Sequence, residues 1–135
     1  MKSLVVLLDH DNDAPLKRAA GWLEPGGVLY LVGILRRPSG VSDALWPQAS
    51  ALLAVELSHQ LEQALAATPL PDGVGGETHV VTGDTARELS RLAAQVKADA
   101  VVMDSAAMTS WRRLFAPPPA LEMLKNGTDP LILIP

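Results

Sequence analysis

Short apolar runs rich in Val, Ile and Leu, at residues 2–8, 28–35, 79–81, 100–103 and 131–134, alternate along the chain with segments whose apolar residues recur at helical spacing. This alternation most constrains the fold. A strand buried on both faces reads as a continuous apolar run, and a crossover through a helix brings the next strand in parallel to the last. The expected class is therefore α/β, a three-layer sandwich with a five-stranded parallel sheet. At 135 residues the chain suits one hydrophobic core, so residues 1–135 are expected to form a single domain.

Local signals place the elements. The first run stops at Asp9-His10-Asp11-Asn12-Asp13, residue types that favour turns and helix N-caps. Asp13 can cap a helix with Pro15 in its first turn, on which Leu16, Ala19, Ala20 and Leu23 share a face until Pro25-Gly26-Gly27 ends it. Trp22 is expected to pack on the sheet. Gly33, near the end of the second run, leaves room for a backbone or a ligand to come close. The spacing predicts the longest helix over residues 42–67, carrying Leu45, Leu52, Leu53, Val55, Leu57, Leu61 and Leu65, with Pro47 near its first turn. Gly73-Val74-Gly75-Gly76 reads as a flexible connection before a short strand at 79–81. Gly83-Asp84-Thr85 then opens a helix with Leu89, Leu92, Ala93 and Val96 on one face. The final third holds a polar and aromatic loop at 105–116, three prolines, a short helix ending near Asn126-Gly127, and the terminal strand.

Composition narrows the function classes. The chain has no cysteine, which removes disulfides, thiolate nucleophiles and thiolate metal sites together and fits a reducing compartment. A net charge of −4, with both signs scattered, offers no basic stripe for a nucleic-acid backbone. No apolar run reaches the roughly eighteen residues of a membrane span, and the N-terminus reads as a strand rather than a secretory signal, so the expected address is cytoplasmic. Asp9, His10 and Asp11 are adjacent, so their side chains point to different sides, and no second cluster completes a metal shell. His59 and His79 have no Ser or Asp placed for a triad, and neither a Gly-x-Ser-x-Gly elbow nor a Walker lysine is present. The expectation is a protein without catalytic residues, metal or cofactor.

Four places together resemble the universal stress protein family. They are the opening strand ending in Asp9, the long second helix, the Gly83-Asp84-Thr85 turn, and the stretch from Ala98 onwards, where Val101-Val102-Met103-Asp104-Ser105 is similar to the family's strand ending in Met-Gly-Ser and Asp129-Pro130-Leu131-Ile132-Leu133-Ile134 to its terminal strand. The resemblance implies the adenine-nucleotide α-hydrolase-like fold of that family. Members that bind ATP carry Gly-x2-Gly-x9-Gly followed by Ser or Thr after the fourth strand. There, glycines let the backbone approach phosphate and free amides point at the anion. The matching positions here are Asp104, Ala107, Pro117 and Pro118. Asp104 brings a negative charge towards phosphate oxygens, and Pro117, Pro118 and Pro119 have no amide hydrogen to donate.

The resemblance thus implies a cleft bounded by Asp9, Gly33, Ile34, Gly83, Asp104, Ala107, Pro117 and Pro118 that has lost its triphosphate. Asp9 stands where the family meets the nucleoside; turn propensity alone makes it a cap. Met108, Trp111 and Phe115 recur at helical spacing and either fill the vacated cleft, the favoured alternative, or stay exposed beside Arg112 and Arg113 as a protein-binding patch. The terminal strand, Leu131, Ile132, Leu133 and Ile134, has an unshielded edge that a twofold copy can pair with, as family members that dimerise do. The reading is a homodimeric, stress-linked regulatory or interaction protein that does not bind ATP, with an unidentified protein as a further partner. The alternative is a small-molecule or nucleotide site using Asp9 and Arg112 or Arg113.

Overall fold

The computed structural model describes residues 1–8, 13–104 and 131–134. Its elements are β1 (Ser3–Leu7), α1 (Ala14–Ala20), β2 (Val28–Leu35), α2 (Trp46–Ala66), β3 (Gly75–Thr82), α3 (Thr85–Val96), β4 (Ala100–Asp104) and β5 (Leu131–Ile134). The strands lie in the order β3-β2-β1-β4-β5, and every neighbouring pair is parallel. From β1 the chain steps outward to β2 and β3, then crosses back to β4. The point where strand order reverses therefore falls between β1 and β4.

Right-handed crossovers in opposite directions put their helices on opposite faces, and the core divides accordingly. On one face Leu4, Val6, Leu29, Leu31, Ala100 and Val102 pack with Leu16 and Ala19 of α1 and Leu61 of α2. On the other, Val5, Leu7, Val32, Val101 and Met103 pack with Leu89, Leu92 and Ala93 of α3. Odd and even residues of β1 and β4 are both buried, which is why these strands show no polar alternation in the sequence. The α/β reading with a parallel sheet between helical layers holds. β5 joins it through the register Val101↔Leu131 to Asp104↔Ile134.

Two expectations are corrected. Trp22, expected to pack on the sheet, joins neither core cluster and is 38% exposed. The amides of Gly21 and Trp22 donate three residues back, to the carbonyls of Arg18 and Ala19, and this tight last turn swings Trp22 off the buried stripe and leaves Leu23 to enter the core. Gly75 and Gly76 are not a connection but the first residues of an eight-residue β3, in register with Val28 and Leu29 of β2. A Cβ on Gly76 would stand 2.9 Å from the Leu65 side chain, so glycine there lets α2 lie against the strand. The loop at 105–116 and the short helix near Asn126 lie outside the described residues.

Capping follows the sequence in α3 and departs from it in α1. The Asp84 carboxylate accepts from the Arg87 amide at 3.0 Å. Asp13 stands at the N-cap of α1 without a capping bond, and its carboxylate instead meets Lys17 Nζ at 3.1 Å.

The start of β1 is tied to the start of β4 by Asp99. Its Oδ2 accepts from the amides of Lys2 at 2.7 Å and Ser3 at 3.1 Å, while its own amide donates to the Ser3 carbonyl. These two backbone bonds hold the Asp99 carboxyl below its ordinary value of 3.8. A depressed folded-state pKa gives stability that is complete above the unfolded value and disappears as pH falls through the folded one. Asp99→Ala should therefore lower Tm at neutral pH, with the gap to the parent chain closing below pH 3.8 in melts recorded across that range.

Candidate functional site

In an open parallel sheet, ligands settle beyond the carboxyl ends of the strands where strand order reverses. Here that place lies beyond the ends of β1 and β4. The register Val6↔Val102, continued by two residues, sets Leu8 beside Asp104, and the Leu8 amide donates to the Val32 carbonyl at 2.9 Å. Asp104 is thus the last residue of β4 at the mouth, with Ile134 of β5 level with it on its other side. Asp9 follows Leu8 directly and lies outside the described residues, as do Ala107, Met108, Trp111, Arg112, Arg113, Phe115, Pro117 and Pro118.

The remaining predicted cleft residues, Gly33, Ile34 and Gly83, stand at the carboxyl ends of the neighbouring strands β2 and β3. A Cβ on Gly33 would lie 3.0 Å from Cγ and both Cδ atoms of Leu57, so α2 fills the space that the missing side chain leaves. Gly33 thus serves helix–strand packing on this face. Ile34 points to the opposite face, where it packs at the margin of the α3 layer with Tyr30 and Val81. Gly83 follows β3, two strands from β1. Its φ of +126° turns the chain into α3, and a Cβ there would meet only the Glu88 side chain, no nearer than 3.6 Å.

One contact at this end of the sheet was not anticipated. Arg36, the first residue after β2, donates from Nη2 to Oγ1 of Thr85 at 2.6 Å, and Thr85 is the first residue of α3 and only 1% exposed. The bond pins the end of β2 to the N-terminus of α3. Arg37 beside it is occupied by the loop leading to α2, donating from Nε to the Val41 carbonyl at 2.8 Å and pairing with Asp43. The only hint in the sequence was a polar pair just after one strand and just inside one helix, at 36 and 85.

The two described histidines belong to their own surroundings. His59 Nε2 is 3.0 Å from Gln63 Nε2 on the surface of α2, and the His79 ring lies against Tyr30 with centroids 5.8 Å apart. Among the described residues no group of three or more His, Asp or Glu is placed to hold a metal ion, and no helix is long and apolar enough to cross a membrane.

The sheet order and the mouth between β1 and β4 can be set against known proteins. The model of the universal stress protein family matches residues 2–135. The chain belongs to the universal stress protein family. No curated protein matches it. Among solved universal stress proteins, UspA from Lactobacillus plantarum is 18% identical over 99% of this chain and 97% of that one, with a TM-score of 0.68. A universal stress protein from Archaeoglobus fulgidus in complex with dAMP is 17% identical over 100% and 98%, with a TM-score of 0.55. A family protein from Arabidopsis thaliana with AMP bound is 16% identical over 99% and 91%, with a TM-score of 0.59. At these identities the likeness to individual structures is one of fold.

Proposed function

We propose that this universal stress protein is a regulatory or interaction module whose nucleotide mouth no longer accepts a triphosphate. The observation that carries the reading is the set of residues at positions 104, 107, 117 and 118. Asp, Ala, Pro and Pro stand there where ATP-binding members need glycines and a Ser or Thr. Asp104 ends β4 beside the end of β1, at the reversal of strand order. A carboxylate in that position repels phosphate, and prolines offer it no N–H. No nucleophile or acid–base pair enters the proposal, and the protein acts by binding rather than by catalysis.

Thermal unfolding with ATP tests this. A ligand at a hundred times its dissociation constant stabilises a protein by about 2.7 kcal/mol. The expected result is a melting curve unmoved by ATP, and a clear upward shift would refute the proposal. The similar structures holding dAMP and AMP favour a second reading, in which a nucleoside or monophosphate is held through Asp9 with Arg112 or Arg113 replacing the lost amides. A shift with AMP and none with ATP would select it.

In the same proposal the sheet is the five-stranded one of the family, and the chain is a homodimer joined through β5, the last strand in the sheet order. Two copies related by a twofold axis would extend the sheet antiparallel across Leu131–Ile134. Replacing Ile132 with Lys in the middle of that strand should leave a folded monomer in sizing experiments. A variant that still dimerises would place the interface elsewhere.

A further inference from the structure

At the opposite end of the sheet order from β5, β3 pairs with β2 along its whole length and has no neighbour on its outer side among the described residues. Natural edge strands are guarded by charged side chains, lysine above all, or by prolines or bulges. Gly75–Thr82 carries a single charge, Glu77, and no lysine, proline or bulge: it reads Gly-Gly-Glu-Thr-His-Val-Val-Thr, and its register with β2 is unbroken. Along this edge runs α2, whose height is fixed by Leu57 against Gly33 and Leu65 against Gly76.

Between helix and edge strand lies an open groove lined by Ala54, Val55, Ser58, His59, Glu62 and Val80. Val55 is 71% exposed, and Leu52, one turn earlier, is 74% exposed; neither packs on either core. Glu62 is the acidic residue of the groove lining. α2 and β3 together carry Glu56, Glu62 and Glu77, the last on the face of β3 turned away from α2, and not one Lys or Arg, in a chain that has 11 of them.

The three features ask for a definite occupant. Unpaired strand-edge groups require an extended backbone, the small apolar floor takes short aliphatic side chains, and the acidic surround favours cations. A second copy would satisfy the edge, but pairing β3 with itself would bring two α2 axes to about 10 Å, given a strand spacing of about 4.8 Å. That would set two acidic helices side by side with no Lys or Arg on either. We infer that the β3 edge and the α2 groove bind an extended segment of a partner protein by strand addition, a segment in which Lys or Arg alternates with small aliphatic residues. The surface lies on another edge from the nucleotide mouth, so the inference stands or falls apart from the reading of that mouth.

The test uses the full chain and a fluorescein-labelled peptide, Lys-Val-Lys-Val-Thr-Val-Lys-Val, matching the eight residues of β3. Anisotropy should show saturable binding, with amide shifts confined to residues 54–62 and 75–82. Glu62→Lys and Glu77→Lys, both at exposed positions, should fold as the parent does by circular dichroism and each weaken binding by about tenfold. A peptide with Glu in place of Lys should not bind. The inference is overturned by an absence of saturable binding up to about 1 mM peptide, by shifts elsewhere on the protein, or by equal binding of the acidic peptide. Self-association that maps to β3 without peptide also overturns it, in favour of a second copy.

Discussion

Leu61→Ala should lower the stability of the chain by about 3 kcal/mol and its Tm by on the order of 10 °C, measured by circular dichroism melts. Leu61 is the one fully buried side chain of the 21-residue α2. It enters the cluster formed by Leu29 and Leu31 of β2 with Leu16 and Ala19 of α1. Truncation removes its transfer free energy and leaves a cavity between two helices and the sheet that neighbours can close only in part. Leu52→Ala in the same helix, at a position 74% exposed, should change stability by no more than about 0.5 kcal/mol. The contrast separates the part of α2 that holds the fold from the part that faces outward. Equal costs would mean that the exposed stripe is buried in the protein as it exists in solution.

Gly33→Ala should cost about 1–3 kcal/mol, because the added methyl would press on the Leu57 side chain at 3.0 Å. The overpacking has a specific partner. Adding Leu57→Ala to Gly33→Ala should recover part of the loss, with a coupling of about 1 kcal/mol in a double-mutant cycle. A glycine that served only the approach of a ligand would behave otherwise, with unchanged stability, no coupling to Leu57, and an effect confined to binding.

The layered fold was legible because burial on both faces writes β1, β2 and β4 as unbroken apolar runs that local reading recovers. Less was legible where the deciding contact is distant in sequence. Gly75 and Gly76 look like a loop until Leu65 of α2 is brought against them, since glycine in a strand shows its purpose only through what approaches it. Trp22 has the spacing of a buried residue, but the tightened last turn of α1 decides its direction. The same limit applied where the end of β2 meets α3. The link from Arg36 to Thr85 joins residues 49 apart in the chain and has no local signature, whereas the Asp84 cap, three residues from its partner Arg87, was readable directly.

The proposed loss of ATP binding rests on Asp104 and Pro117, Pro118 and Pro119, a carboxylate and three prolines at positions where ATP-binding members of the family present amide hydrogens. Equilibrium dialysis of the full chain against radiolabelled ATP and magnesium tests that point without any intervening model, run beside a variant carrying Asp104→Gly, Ala107→Gly, Pro117→Gly and Pro118→Ser. The expected result is no bound ATP on the parent chain and measurable binding on the variant. One equivalent of ATP retained by the parent chain would contradict the account.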